Sequence, residues 1–427
     1  VRRHSICAAA AVVVSALLVA APLQAQAPLS LADALALAEA RSPQLASAEY
    51  AASAARERGI ASAQLPDPVL RLGIDNLPVN GPDAWSTTAD FMTMRRIGVM
   101  QEITDSTKRD LRRQRGEVEA DRELALREAT RATLRQDVAT AWLDRWYAYR
   151  TAEVWRSLAS ELRLQYATLA AGVASGKSGA AELRAVQATL VQTDDQVAAS
   201  LQQTRVAEQM LARYLGKDAA RAPGAAPDMA TIPFDPSMPG SLDALPQFAV
   251  LEQDNRLAQT ELKLAERARR PDWSIEVAYQ QRGSMYSNMI SVGVNIPLAI
   301  FPADRQNRDV GAMQARLAQA ETLLDDARRQ RIAELAAGQE EWRSLQRRAQ
   351  SLREGLLPLA DDRVTQTLAA YGGGSATLAQ VLEARRAAID ARMQVLLLER
   401  DAARAWAKLN YQVIASAPTA RAGKEPQ

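Results

Sequence analysis

A chain of 427 residues with 52 basic and 50 acidic side chains carries a formal charge of only +2, and it contains just 4 Phe. It therefore lacks the basic excess that nucleic acid would require and the aromatic stock of a compact core. Its single histidine, His4, and single cysteine, Cys7, both lie at the very start, so no triad, dyad or metal site built on imidazole or thiolate can form further along. Neither enzymatic activity nor a cofactor is expected. Charges of both signs mixed with apolar residues at helical spacing favour long amphipathic helices packed side by side.

Arg2, Arg3 and His4 precede an apolar run from Ile6 to Ala21. At roughly 16 residues the run is short for a membrane-spanning helix, and Ala25-Gln26-Ala27 follows it with the small residues of a cleavage site. Residues 1–27 read as a secretory signal peptide, cut after Ala27 or, because Pro28 hinders cleavage there, after Ala25. Cys7 precedes most of the apolar run and leaves with the signal, so it cannot carry a lipid anchor. No later stretch is apolar enough for a transmembrane helix, and a membrane crossing would have to be made by strands.

The remainder is written twice at an offset of about 200 residues. Pro43-Gln44-Leu45 heads a helix that runs to Pro66-Asp67, and Pro246-Gln247-Phe248 heads one that runs to Pro271-Asp272. Next come Ile97-Gly98-Val99 against Val292-Gly293-Val294, Trp142 against Trp342, and Gly176 to Ala185 against Gly374 to Ala384. Each half reads helix, strand, strand, very long helix, glycine turn, helix. The first repeat spans 28–215, with strands 68–76 and 90–103 and a helical hairpin 105–215. A Pro/Gly-rich linker occupies 216–240. The second repeat spans 241–415, with strands 272–282 and 288–298 and a hairpin 303–415. A disordered tail, 416–427, is expected to close the chain.

Leu70, Leu72 and Ile74 alternate with Arg71, Gly73 and Asp75, which is the period of two of a strand with unlike faces. Trp273, Ile275, Val277 and Tyr279 alternate with Ser274, Glu276 and Gln280, and Ile290, Val292, Val294 and Ile296 with Ser291, Gly293 and Asn295. The segment Phe91 to Ile103 is less clear, because Arg95 and Arg96 sit at its middle. Alternation alone also fits soluble hairpins, but strands of about 9 to 11 residues match a tilted crossing of a bilayer with a wet lumen. Four strands cannot close a barrel, so the wall would be shared between subunits: two at the least, or three giving twelve strands.

From Asp105 to Ala171 no proline interrupts the apolar positions Leu134, Val138, Trp142, Trp146, Tyr149, Leu158, Leu162, Tyr166 and Leu169. One helix on the order of 100 Å long is predicted. Its counterpart runs from Ala303 to Tyr371 with a kink at Pro358. The returning helix offers Leu183, Val186, Leu190, Val197, Leu201 and Leu211 as partners. Trp142, Trp146 and Tyr149 are read as packing core. Lys108, Arg109, Arg112, Arg113 and Arg115 follow a membrane strand and sit either at the lumen or just below the bilayer, or else on a plain solvated helix face.

The duplicated order of helix, strands, long helix and glycine tip, with its Pro-Asp strand entries, resembles the TolC family of outer-membrane factors over nearly all of the chain after the signal. Asp75-Asn76-Leu77-Pro78-Val79-Asn80-Gly81-Pro82-Asp83 and Lys108-Arg109 resemble its heavy-metal-efflux branch, the cobalt-zinc-cadmium and copper-silver systems. The resemblance implies a mainly α fold with a membrane β-barrel portion. It also implies a homotrimer in the outer membrane of a Gram-negative bacterium, with a twelve-stranded barrel above a twelve-helix periplasmic tunnel. Such a trimer meets lipid at its barrel and a periplasmic adaptor protein and an inner-membrane pump, of the resistance-nodulation-division type, at its helical tips. Carried over by position, Ser175, Gly176, Lys177 and Ser178 form one adaptor-docking tip and Tyr371, Gly372, Gly373, Gly374 and Ser375 the other. These glycines equally serve to end helices.

Two features depart from the family. It often places acidic residues within two turns before the second tip, where this chain has Thr365 and Leu368. Asp361 and Asp362 lie further up, either as pore-lining acids that concentrate cations or on a solvated helix face. Many relatives are also acylated after signal removal. The function implied is a passive exit duct for metal ions or small toxic compounds. The competing reading is a periplasmic adaptor, which usually carries one hairpin between lipoyl-like halves, whereas this chain has two hairpins and two strand pairs.

Overall fold

The computed structural model describes residues 27–176, 179–232 and 245–411. The expected signal peptide, apart from Ala27, lies outside these residues, as do part of the linker and the tail from 416. In chain order, α1 (Leu31–Arg41) and α2 (Pro43–Ser62) lead into β1 (Val69–Asp75) and β2 (Met94–Ile103). A hairpin of α3 (Ser106–Ala174) and α4 (Ala180–Leu215) follows, closed by a 3-10 turn at Gly216–Ala220. The second half supplies α5 (Pro246–Arg267), β3 (Trp273–Gln281) and β4 (Met289–Asn295). Its hairpin consists of α6 (Gln306–Ser351), α7 (Leu357–Gly372) and α8 (Leu378–Asn410).

The helix expected to begin at Pro43 does begin there, but α1 precedes it and was not anticipated. Ser42 is the reason for the break. It ends α1, and its side chain accepts the N–H of Leu45, so the serine caps α2 while Pro43 occupies the first turn, where no N–H is needed. At the far end Thr377 and Gln380 form a reciprocal capping box that starts α8.

At 69 residues α3 spans about 100 Å of axial rise. The second long helix is interrupted as expected near Pro358, and the interruption has a definite form. A π turn occupies Leu352–Leu356. Pro358 has no N–H to offer the carbonyl of Glu354 four residues back, and its ring crowds that oxygen. The N–H of Leu357 reaches back five residues to the Leu352 carbonyl instead, widening the turn just ahead of the proline.

The largest core lies mid-way along the helices and draws on both repeats: Trp142, Leu143, Leu211, Leu215, Phe248, Trp342 and Trp406 are all buried in it. Three indole N–H groups pin irregular chain to this core. Trp142 donates to the Leu29 carbonyl at 3.1 Å, Trp146 to that of Gly224 at 3.1 Å, and Trp406 to that of Thr231 at 2.8 Å. Leu29 itself pairs with the linker, its N–H donating to Ala222 and its carbonyl accepting from Gly224. Trp142 and Trp146 thus act as packing core, as expected. Tyr149 does not: it is 37% exposed and lies outside that core.

All four strands join one antiparallel sheet in the order β1-β2-β3-β4. All four strands are shorter than expected, β2 and β4 the most. Residues 90–93 turn before β2 can start, with the Asp90 side chain accepting the Met92 N–H and Thr93 donating to the Asn76 carbonyl. β4 ends at Asn295 because Pro297 cannot continue a ladder.

Candidate functional site, a two-faced sheet and paired helical tips

The register gives the sheet two unlike faces. Leu72, Ile97, Tyr279 and Ile290 form one cross-strand row, and Leu70, Val99, Val277 and Val292 form the next. These side chains project from the chain, with Leu72 at 70% exposure and Ile290 at 73%. An apolar band of this extent marks a surface meant for an apolar partner or for lipid. The opposite face is charged. Arg71 and Arg96 both reach Glu276, at 3.0 and 3.1 Å, and Arg96 also lies 3.6 Å from Asp75.

This register resolves the segment that was unclear from sequence. Arg95 and Arg96, being neighbours, point to opposite faces. Arg96 joins the charged face, while Arg95 sits at the last rung opposite Gln281 and donates to the Arg282 carbonyl. Its long stem lets the charge reach past the apolar band. Among the described residues β1 and β4 have no strand on their outer sides.

Beneath the sheet, Lys108 is buried rather than solvated. Its ammonium donates to the Arg270 carbonyl at 2.5 Å and pairs with Asp272 at 2.9 Å. Asp272 also accepts the Asp105 N–H, and Arg267 donates to the Asp105 carboxylate at 2.9 Å. The start of the first long helix is thereby tied to the strand entry of the second repeat. Desolvation would raise the pKa of Asp105, but hydrogen bonds from Thr107 and Arg267 outweigh it and hold the carboxyl below its ordinary range. The rest of the basic set divides: Arg113 pairs with Asp110 on the surface, and Arg115 with Glu119 and Glu261.

The two glycine tips come together. Leu169 and Val186 from the first hairpin bury against Leu378 of the second, with Tyr371 packed on the cluster. Gly176 and Gly374 have φ of +72° and +76°, a left-handed conformation that side chains resist. Gly372 and Gly373 have ordinary φ, so the turn geometry needs glycine at only one position per tip. Ser375 closes the second tip by donating its N–H to the Ala370 carbonyl. Ser175 caps α3, while Lys177 and Ser178 lie outside the described residues.

Asp361 and Asp362 are both exposed on α7, but they are not equivalent. Asp361 accepts from Arg392 of α8 at 2.7 Å, so its charge is offset where it stands. Residues that pattern reading missed include Thr193 and Ser200, buried on α4 in line with Val186. The spacing of seven is that of a coiled-coil seam, and each hydroxyl is satisfied by its own helix backbone, at Thr189 and Val197. Counting only apolar positions concealed them.

No protein-family model and no curated protein matches this sequence. Solved structures do match. A membrane protein from Pseudomonas aeruginosa superposes with a TM-score of 0.74 at 17% identity, covering 90% of this chain and 89% of the other. The outer-membrane channel OprN gives 0.73 at 16%, covering 90% and 89%. The outer-membrane protein VceC from Vibrio cholerae gives 0.70 at 16%, covering 90% and 95%. The chain has the fold of the TolC-type outer-membrane channels. In this chain the fold consists of one four-stranded sheet and two long helical hairpins.

Proposed function

We propose that this chain is one subunit of an outer-membrane exit duct in a three-part efflux system. Three copies would close twelve strands into a barrel and pack twelve helices into a periplasmic tunnel. The observation that carries the reading is the sheet itself: four strands, unpaired at both outer edges among the described residues, apolar and exposed on one face, charged on the other. In lipid, each unmade backbone hydrogen bond along an open edge would cost several kcal/mol, so neighbouring copies must supply the missing strands.

In this reading the duct is passive and breaks no bond. The paired tips dock a periplasmic adaptor, and an inner-membrane pump of the resistance-nodulation-division type supplies the energy. Residues 1–27 direct export. The heavy-metal branch is supported by the loop Asp75 to Asp83 and by Lys108-Arg109, and metal ions or small toxic compounds are the solutes proposed. Of the two helix-borne acids, only Asp362 is left to add charge to a pore, since Arg392 holds Asp361. The adaptor alternative loses its basis, because both hairpins and both strand pairs belong to one continuous architecture.

Extraction of outer membranes tests the proposal. The protein should emerge as an SDS-resistant oligomer of three chains that falls to monomers on heating. A monomer soluble without detergent would contradict it.

A further inference from the structure

Where the sheet meets the helices lies a cleft of about 1500 Å³, lined from the sheet by residues of its charged face and, at the strand ends, by Trp273, Val294 and Ile296. Its upper rim carries Glu102, Ser274 and Asn295, which form one cross-strand row on the same face as Glu276. The cleft therefore continues the wet wall of the proposed duct. Six basic side chains line it: Arg58 from α2, Lys108, Arg112 and Arg115 from α3, Arg269 just after α5 and Arg305 just before α6.

Two of the six are neutralised, Lys108 by Asp272 and Arg115 by Glu119 and by Glu261 behind the lining. Among the described residues, no ion pair engages Arg58, Arg112, Arg269 or Arg305. Against these four stand only Glu102 and Asp309, and Asp309 lies in the first turn of α6, where the helix dipole already favours it. Among the side chains that line the cleft, six basic against four acidic, the surplus is two positive charges per chain.

We propose that this cleft forms a basic collar at the junction of barrel and tunnel, and that it makes the duct favour anionic solutes. The proposal rests on the duct reading above. Three copies would place six surplus charges around one aqueous constriction with low-dielectric walls, an arrangement that focuses the field and raises the local concentration of counter-ions. The screening length of about 8 Å at physiological salt is enough for a charge on the wall to act on a solute passing beside it. Cations moving through such a collar would meet a barrier, so a metal cargo would pass more readily as an anionic complex than as a bare ion.

Single-channel recording of the purified oligomer in planar lipid bilayers under a potassium chloride gradient provides the test. The reversal potential should give a chloride-to-potassium permeability ratio above one. In a triple variant, Arg112→Gln with Arg269→Gln and Arg305→Gln, that ratio should fall about twofold or more. The difference should shrink in 1 M salt, where the screening length drops to about 3 Å. Arg113→Gln, which alters a surface pair instead, should leave the ratio unchanged. If the triple variant yields no oligomer, Arg305→Gln alone carries the same test with a smaller shift. Cation selectivity in the parent protein, or an unchanged ratio in the variants, overturns the collar while leaving the duct standing. Absence of any pore overturns both.

Discussion

Gly59 and Gly116 face each other across the crossing of α2 and α3 so closely that a Cβ built on Gly116 would lie 2.3 Å from the Cα of Gly59. Ala52, Ala55 and Ala120 continue this seam of small residues, which lets the two backbones nearly touch just below the sheet. Gly116→Ala meets backbone on the other side, and backbone cannot turn aside as a flexible side chain could. The overpacking costs about 1–3 kcal/mol, against roughly 1 kcal/mol gained by placing alanine in a helix. The variant is expected to lower the temperature at which the SDS-resistant oligomer dissociates. Gly311→Ala in α6, where among the described residues no atom outside its own turn of helix lies within 4 Å of an added Cβ, supplies the contrast and should leave that temperature unchanged or raise it.

Glu276 holds two guanidinium groups, those of Arg71 and Arg96, across three strands and across the boundary between repeats. Glu276→Gln keeps the volume and removes the charge, leaving two cations facing each other on one wall. Pairs this exposed are each worth about 0.2–1 kcal/mol, so a loss on the order of 1 kcal/mol is expected. Adding Arg71→Gln should restore part of it by removing one unpaired cation. A double-mutant cycle on the dissociation temperature measures this, and simple additivity would show that the two residues do not act together.

The faces of β1, β3 and β4 were legible in sequence because each alternates cleanly over its own length. β2 was not, since parity alone could not say which of Arg95 and Arg96 had a counter-charge. That depended on Asp75 in the strand before and on Glu276 about 180 residues later. Pro358 announced a kink but not its π form, which follows from where the freed carbonyl falls. Asp361 looked like a free carboxylate until the hairpin brought Arg392 beside it. The collar was hidden most completely, because its unpaired arginines come from four separate places along the chain and only the fold assembles them. Lys108 stood in a run of basic residues that suggested solvent, yet its partners Arg270 and Asp272 bury it.

Trp142 and Trp146 hold the segment around Leu29 and the linker segment at Gly224 against the helices. Trp142→Phe retains most of the buried ring and deletes one donor, but the Leu29 carbonyl keeps the N–H of Gly224. The cost should stay near 1 kcal/mol, the net worth of one hydrogen bond, rather than that of an orphaned carbonyl. The consequence should be local. Limited proteolysis within 221–232 is expected to quicken in Trp142→Phe and further in the double variant with Trp146→Phe, while the oligomer persists. Equal cleavage rates in all three proteins would mean that the indoles only fill space.

At the tips, Gly176 and Gly374 both hold positive φ and, among the described residues and apart from their chain neighbours, no atom lies within 4 Å of the point where a side chain's Cβ would project. That openness is what a docking partner's backbone would require. Gly176→Trp or Gly374→Trp should therefore abolish efflux, read as the resistance of cells carrying the variant, without changing the yield of SDS-resistant oligomer. Because a tryptophan at positive φ also strains the turn, Gly176→Asn and Gly374→Asn are needed beside them, since asparagine tolerates the left-handed region. The asparagine variants should retain most of the resistance and the tryptophan variants none. Full resistance in both tryptophan variants would remove the tips from the docking surface, and loss in the asparagine variants as well would assign the glycines to the turn alone.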